Sequence, residues 1–282
     1  MQKLRTLLTL GRVSNLPTVW SNCLAGWVLG GGTDKLTFFW LCFGATFLYV
    51  GGMFLNDAFD ADFDRQHRSE RPIPSGAISA GEVWLFGFGW LALGLAAAAP
   101  ISPLTALFSL LLITSILIYD AIHKVVTFAP VVMALCRFLL YLMAASAGYH
   151  GVSGRAIWGA FALACYIVGL SYLARRESAR GPLDYWPLIL LGAPPLLALL
   201  INTGPYLKHA FVLSGLYAFW VVLSLRHTFG RPRNIGHTVL GLLAGIVLVD
   251  FLAVGIETLA LGVVFLLLFV AARLFQRFIP AT

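Results

Sequence analysis

The chain has 282 residues, of which 60% are hydrophobic and 11% charged, against about 25% charged residues in typical soluble domains. Its mean hydropathy of +0.87 excludes a soluble domain, because a chain of this size leaves most residues near the surface. The apolar composition and the lack of a CxxC pair also exclude a disordered protein and a disulfide scaffold. We expect the four cysteines to be free thiols in apolar surroundings: Cys23, Cys42, Cys136 and Cys165.

Apolar windows of about 17 to 22 residues recur along the chain, and each is long enough to cross a hydrocarbon layer of roughly 30 Å. In lipid, only helices and closed barrels satisfy their backbone groups, and continuous apolar runs of this length are typical of helices. We predict an all-α, polytopic membrane bundle of nine or ten transmembrane helices that forms one domain over residues 1–282. The windows are 15–33, 36–55, 83–100, 102–119, 126–148, 156–173, 185–202, 208–225, 237–255 and 257–275.

The net charge of +7 follows a membrane topology and not a nucleic-acid interface. If the segment before the first window is cytoplasmic, fifteen of the nineteen Lys and Arg residues lie in cytoplasmic segments and three in outer loops, as the positive-inside rule requires. That segment is expected to form a short amphipathic helix on the cytoplasmic face of a bacterial inner membrane. The three outer residues are Lys35, Arg155 and Lys208, and one further residue, Arg137, lies inside a window.

Three aspartates after the second window share one helical face. At about 100° per residue, Asp57, Asp60 and Asp64 project within an arc of about 60°, while Asp62 points to the opposite side. Such a stripe of carboxylates repels itself unless a cation binds it, and carboxylate oxygens suit Mg²⁺ that is shared with phosphate oxygens. Asn56 adds an amide oxygen beside them.

Basic residues follow this acidic face directly. Arg65, Arg68 and Arg71 offer donors for phosphate oxygens. Arginines beside a membrane span usually serve only as topology signals, but topology requires no acids. The whole segment is therefore predicted to bind a metal together with a diphosphate.

The same residues resemble a known family. The run from Asn56 to Asp64, with Asp57 and Asp60 between them, and the following RPIPSG at 71–76 resemble the signature of the UbiA superfamily of intramembrane aromatic prenyltransferases. RVSNLPTVWSN at 12–22 and YDAIHK at 119–124 are similar to further segments of that family. The resemblance implies a helix bundle around a central cavity, with two Asp-rich motifs that bind Mg²⁺ and diphosphate at its cytoplasmic mouth. It also implies transfer of an isoprenoid group from a prenyl diphosphate donor to a lipophilic acceptor.

The spacing and the resemblance together give three sets of expected site residues. The expected catalytic metal ligands for Mg²⁺ are Asn56, Asp57, Asp60, Asp64 and Glu177. The expected diphosphate-binding residues are Asn56, Arg68, Arg71, Lys124, Arg176 and Arg180. The expected substrate-pocket residues are Asn15, Asn22 and Arg137.

The second motif departs from the family pattern. Family members carry two or three aspartates there, whereas this chain has Glu177 alone, Arg176 at the position of another acid, and Asp184 close to the next span. Three alternatives follow. Glu177 holds a single Mg²⁺ while arginines neutralise the remaining phosphate charge, or the protein binds a different phosphorylated substrate, or it has lost catalysis.

Two ionisable residues lie deep inside windows, where a charge normally faces a cavity or a partner. Arg137 either lines the substrate pocket or forms a structural pair. Asp250 either pairs with Arg137, acts as a base toward the acceptor, or is neutral through burial. We expect a structural role for Asp250, and His67 is expected to be a bystander in a hydrated loop.

The sequence thus predicts a membrane prenyltransferase. A CDP-alcohol phosphotransferase is disfavoured because the chain lacks the Asp-Gly pair that begins its signature. A secondary transporter would carry more intramembrane ionisable residues than this chain does. The remaining alternative is a non-catalytic membrane carrier or scaffold that binds a phosphorylated isoprenoid lipid.

Overall fold

The computed structural model describes residues 2–178, 185–230 and 232–280, and these ranges contain helices and no strands. A single 3₁₀ turn, Val13–Asn15, separates the first two helices. The α-helices are α1 (Gln2–Leu10), α2 (Leu16–Leu29), α3 (Lys35–Phe59), α4 (Ala61–His67), α5 (Ala80–Ala98), α6 (Pro103–Ile122), α7 (Ala129–Ala145), α8 (Gly154–Ser178), α9 (Trp186–Leu190), α10 (Ala193–Ile201), α11 (Pro205–Phe229), α12 (Ile235–Val254) and α13 (Leu259–Phe275).

Each predicted window coincides with a helix. Among the described residues, six helices are long and apolar enough to cross a membrane, namely α3, α5, α6, α8, α11 and α12. The window 185–202 differs from the others because it contains two short helices, α9 and α10. Pro194 and Pro195 allow a helix to begin at Ala193 but cannot continue one, since proline lacks the backbone donor. The all-α class is confirmed, and the count of nine or ten spans stays a prediction.

Helix α12 forms the centre of the bundle. Of the apolar stretch of α12, 78% is buried inside the protein, against 22% of the apolar stretch of α5. Helix α12 packs against α2, α8, α11 and α13. Large apolar side chains point outward instead, for example Leu85 (73% exposed) and Phe219 (67% exposed). An apolar exterior of this kind requires lipid around it, so the protein is a multi-pass integral membrane protein. All four cysteines are free thiols, as predicted.

Polar caps define where the long helices begin. The Asp34 carboxylate accepts hydrogen bonds from the backbone N–H groups of Leu36 and Thr37 at the start of α3. Ser79 and Glu82 form a reciprocal capping box at the start of α5. These caps satisfy donors that the helices themselves leave unpaired, and so they fix the residue at which each of the two helices begins.

Helices α3 and α5 approach each other closely through glycines. A Cβ atom placed on Gly94 would lie 2.8 Å from the backbone oxygen of Gly44 and 2.8 Å from the backbone nitrogen of Leu48. About two helical turns further along α3, a Cβ on Gly51 would lie 2.9 Å from the oxygen of Gly87. Small residues that let two backbones meet are a common means of packing helices in lipid. This contact fixes α3, which carries the aspartates at its far end.

We expect Gly94→Ala to destabilise the fold by about 2 kcal/mol, because the new methyl group meets backbone atoms that cannot move aside. Gly89→Ala on the same helix is the matched control, since no atom lies within 4 Å of its Cβ position. Thermal unfolding of both variants in detergent tests this contact. A melting temperature of Gly94→Ala equal to that of Gly89→Ala would contradict the packing.

Candidate active site

The three aspartates of the acidic face are buried together. Asp57 and Asp60 are each 5% exposed and Asp64 is 1% exposed, whereas the Asp62 side chain is 91% exposed. Helix α3 ends at Phe59 and α4 begins at Ala61, but backbone bonds from Asp60 to Asn56 (3.0 Å) and from Asp64 to Asp60 (2.9 Å) continue the helical pattern. The junction therefore keeps the three carboxylates on one face and Asp62 on the other, as the spacing predicts.

Two arginines from distant segments bind the first carboxylate. Asp57 Oδ1 accepts from Arg12 Nη2 at 2.9 Å and from Arg71 Nη1 at 3.0 Å. The Asn56 amide oxygen accepts from the same Arg12 nitrogen at 2.9 Å. Both arginine side chains are less than one-fifth exposed. Asp57 thus links the turn before α2, the end of α3 and the loop that follows α4.

Arg12 reaches this position through an unusual backbone conformation. Its φ of 41° and ψ of 47° lie in the left-handed region, which costs a non-glycine residue roughly 1–2 kcal/mol. The carbonyl of Arg12 accepts hydrogen bonds from the N–H of Asn15 (3.0 Å) and the hydroxyl of Tyr49 (3.5 Å). Strained residues of this kind cluster at functional sites, where the surrounding contacts hold them.

The RPIPSG segment positions Arg71 by burying its own isoleucine. Ile73 is 8% exposed and packs in a cluster with Leu10 and Phe54. The Ser75 N–H donates to the Arg71 carbonyl at 2.9 Å, and Gly76 adopts a φ of +76°. A left-handed turn at that point favours glycine. The motif is therefore a turn with an apolar anchor that directs Arg71 toward Asp57.

The second carboxylate, Asp60, binds the turn after α6. Lys124 Nζ lies 3.0 Å from Asp60 Oδ2, and His123 Nε2 lies 3.2 Å from Oδ1. Lys124 also lies over the ring of Phe63, 4.4 Å from its centroid. Arg175, near the end of α8, donates to the carbonyls of that turn; the acceptors are His123 (2.7 Å), Val126 (2.9 Å) and Thr127 (2.7 Å).

The surroundings of Asp60 and Asp64 shift their pKa values in opposite directions. Burial opposes ionisation of Asp60, but hydrogen bonds and charge from His123 and Lys124 outweigh it and lower its pKa. Burial raises the pKa of Asp64, and the negative charge of Asp60 adds to this effect against the attraction of Arg71. Of the three aspartates on this face, Asp64 is the one that forms no ion pair with another described residue.

Three residues of this cluster were not predicted: Arg12, Asp120 and His123. Asn56 Nδ2 donates to Asp120 Oδ1 at 3.0 Å, and Asp120 is 3% exposed. Asp120 and His123 lie within the YDAIHK segment, so its resemblance to the family was an available signal. Arg12 begins the RVSNLPTVWSN segment, so the same signal was available there, but Arg12 was counted among the basic residues of a cytoplasmic flank.

The donor set fits Mg²⁺ that is shared with a phosphate. In the described ranges no three Asp, Glu, His or Cys side chains already converge on one metal position. Asp64 Oδ1 and Asp120 Oδ2 are nevertheless buried oxygens without a hydrogen-bond partner among the residues that the structure describes. Mg²⁺ usually takes one or two carboxylates and completes its shell with waters and substrate phosphates. Unpartnered carboxylate oxygens beside Asp57 and Asp60 match that requirement.

Below the acidic cluster, a buried polar network crosses the bundle. Arg137 donates to Asn22 Oδ1 at 2.7 Å, and Asn22 Nδ2 donates to Asp250 Oδ2 at 2.7 Å. Arg137 and Asp250 form no direct ion pair in the part of the chain described, so Asn22 links them. Asn15 Nδ2 donates to Tyr49 Oη at 3.2 Å. The assignment of Asn15, Asn22 and Arg137 to a substrate pocket stays a prediction.

The other predicted residues divide into two groups. Arg68 is half-buried beside the site, while His67 is exposed and stacks on Phe63, as expected of a bystander. The side chains of Arg176 and Glu177, at the end of α8, and the whole of Arg180 and Asp184 lie outside the described residues. The composition of the second motif is therefore known from the sequence alone.

Comparison with known proteins identifies the family of the chain. The model of the UbiA prenyltransferase family matches residues 14–225, which is more than half of the chain. The chain therefore belongs to the UbiA prenyltransferase family. Its fold is similar to that of a UbiA homolog from Archaeoglobus fulgidus bound to GPP and Mg²⁺, with a TM-score of 0.65 and 16% identity over 98% of this chain and 100% of that one.

Curated relatives match over shorter segments. Digeranylgeranylglyceryl phosphate synthase from Ignicoccus hospitalis is 34% identical over 109 residues, 39% of this chain and 36% of that protein. 4-Hydroxybenzoate octaprenyltransferase from Cupriavidus metallidurans is 36% identical over 98 residues, 34% of this chain and 32% of that protein. The matches thus span about a third of each of these two relatives.

We expect Asp57→Asn to lower the free energy of unfolding by about 3 kcal/mol, because it leaves two largely buried guanidinium groups without their carboxylate. Asp62→Asn is the matched control. It breaks only the exposed pair with Arg65, which contributes at most about 1 kcal/mol. Thermal unfolding in magnesium-free detergent buffer measures both. Equal melting temperatures of the two variants would show that Asp57 does not hold the segments together.

Proposed function

We propose that the protein transfers an isoprenoid group from a prenyl diphosphate to a lipophilic acceptor within the membrane, in a reaction that depends on Mg²⁺. Family membership supports the reaction class, and a similarly folded homolog is bound to GPP and Mg²⁺. The observation that carries the proposal is the buried acidic face of Asp57, Asp60 and Asp64, with cationic side chains already in contact with it.

The charge balance of this cluster supports a metal requirement. Arg12, Arg71 and Lys124 are each engaged by a carboxylate. A diphosphate that entered beside these pairs would add several negative charges, which only further cations could compensate in a site of low dielectric. Asp57, Asp60 and Asp64 are the proposed ligands of Mg²⁺, with Asn56 beside them. When bound, Mg²⁺ supplies positive charge that stabilises the departing diphosphate.

The basic side chains are held beside the place where the diphosphate would bind. Arg71 is fixed by its buried turn, and Lys124 by the turn that Arg175 secures. Both donate to carboxylates in this structure, and in the proposed complex they donate to phosphate oxygens. Arg68 is a further proposed donor. Fixed donors aimed at the leaving group accelerate the reaction because they need little reorganisation when charge develops.

The proposed reaction breaks the C–O bond between the allylic carbon and the diphosphate. That carbon forms a new bond to the acceptor, the diphosphate leaves with the electron pair, and the acceptor loses one proton. The site must exclude water, because water would otherwise capture the allylic carbon. The buried position of the acidic face supports such exclusion. An aromatic acceptor or another lipophilic acceptor fits this chemistry, and the network of Asn22 and Arg137 is the proposed wall of its pocket.

The second motif contributes a single acid in this proposal. Glu177 is the proposed further metal ligand, and Arg176 and Arg180 are proposed to neutralise phosphate charge. Cations can replace part of the metal charge at a diphosphate, because each supplies a positive field to the same oxygens. A different phosphorylated substrate and a loss of catalysis are the two outcomes that would contradict this assignment.

The active site is proposed to open on the cytoplasmic side of a bacterial plasma membrane. The helix ends around the acidic face carry many basic residues, including Arg65, Arg68 and Arg71, whereas the opposite helix ends carry Lys35, Arg155 and Lys208. The positive-inside rule supports this orientation.

We expect Asp60→Asn and Asp64→Asn to weaken Mg²⁺-dependent binding of GPP by about a hundredfold, because each removes a charged ligand from a buried metal site. Asp62→Asn is the control, since this side chain is on the opposite, exposed face. Titration calorimetry with GPP, with Mg²⁺ and with EDTA, measures the effect. Unchanged metal-dependent binding by the Asp60 and Asp64 variants would contradict the metal assignment.

Mass spectrometry of lipids separates an enzyme from the alternative carrier. The protein and its Asp60→Asn variant are each incubated in membranes with GPP and Mg²⁺. An enzyme produces a prenylated lipid that is absent with the variant. Metal-dependent GPP binding without any prenylated product would favour a carrier or scaffold of phosphorylated isoprenoids.

A further inference from the structure

A cleft lies between α8, α10, α11 and α12, at the opposite end of the bundle from the aspartates. Its walls are apolar, with Trp158, Leu197 and Leu252 among the lining residues, and Arg155 and Glu257 also line it. Helix α8 is 25 residues long, about 37 Å at a rise of about 1.5 Å per residue. Arg155 lies at one end of α8 and Arg175 at the end that reaches the acidic cluster, so the cleft is remote from the proposed chemistry.

The charges that line the cleft do not neutralise each other. Over the described ranges, Arg155 and Glu257 form no ion pair, although both line the same cleft. Among the described residues, His209 Nδ1 is a buried nitrogen of the same lining without a hydrogen-bond partner. Within that part of the chain, an unpaired cation, an unpaired anion and an unsatisfied polar atom thus line one mostly apolar cleft. A ligand of matching chemistry carries a negative group and a positive group next to an apolar tail.

The position of the cleft identifies the source of such a ligand. Arg155 is in the first turn of α8 and Glu257 lies between α12 and α13, so both charges are at helix ends, where headgroups lie. Neighbouring apolar side chains face outward into lipid, including Phe161 (47% exposed) and Leu200 (69% exposed). Acyl chains can therefore run along the outside of α8 and α10 while the headgroup lies in the cleft.

We propose that this cleft is a binding site for one phospholipid with an ethanolamine headgroup. The phosphate accepts hydrogen bonds from Arg155, and the primary ammonium donates to Glu257. A carboxylate needs an N–H donor for such a bond, which an ethanolamine group has and a choline group lacks. A headgroup that carries only negative charge leaves Glu257 without a partner and next to a like charge. The site therefore selects phosphatidylethanolamine over phosphatidylcholine and phosphatidylglycerol.

Native mass spectrometry tests the selection directly. The protein is released from detergent with equimolar phosphatidylethanolamine, phosphatidylcholine and phosphatidylglycerol. We expect one phosphatidylethanolamine to remain bound. Arg155→Gln and Glu257→Gln should each lower its occupancy about tenfold, the usual effect of removing one charged hydrogen bond. Lys208→Gln is the control, because Lys208 is an exposed cation at the same end of the bundle and is not part of the lining.

Two results would overturn the proposal. One is equal retention of the three lipids, which would identify general annular lipid. The other is a preference for phosphatidylglycerol that Glu257→Gln does not weaken, which would identify a purely anionic site. Arg155 and Glu257 are exposed, so their substitution leaves the core intact, and circular dichroism checks the fold. Because the readout is lipid occupancy and not turnover, the result is independent of the proposed transferase activity.

Discussion

The architecture of the site depends on two buried carboxylates that are each paired with a cation. Asp57 and Asp60 are almost completely buried, and an isolated carboxylate in that position would cost several kcal/mol. Arg12 and Arg71 satisfy Asp57, and Lys124 satisfies Asp60. These cations come from three separate segments of the chain, so the electrostatic requirement of one helix face fixes the turn before α2, the loop after α4 and the turn after α6.

Apolar packing supports this requirement from outside the site. The close contact of α3 and α5 through Gly51 and Gly94 fixes the position of the acidic end of α3. Ile73 anchors the loop that carries Arg71. The left-handed conformation of Arg12 costs energy, and its two contacts with Asn56 and Asp57 offset that cost. The same contacts therefore stabilise the scaffold and place the charged side chains.

The helical periodicity of the sequence predicted which aspartates share a buried face. It could not predict the contacts that join distant segments of the chain. The helical period separated Asp62 from its acidic neighbours because a helix repeats over a few residues, and the structure buries and exposes them accordingly. No local pattern relates Arg12 to Asp57, which is 45 residues away. Asp120 was missed for the same reason, since its partner Asn56 lies on another helix. Hydrophobicity located the window 185–202, but only the position of its prolines and glycine explains the break between α9 and α10.

The departure of the second motif from the family pattern has a structural counterpart. Arg175 directly precedes Arg176, the residue that stands where the family pattern has an acid. The Arg175 guanidinium donates to three carbonyls of the turn that carries Lys124. A side chain without donors at position 175 could not bind those carbonyls, and the turn would lose this support. The basic character of this segment therefore strengthens the first motif, because it fixes the lysine that neutralises Asp60. A chain with fewer acids in its second motif depends more on the correct placement of each cation around the first, and the contacts of Arg175 provide that placement.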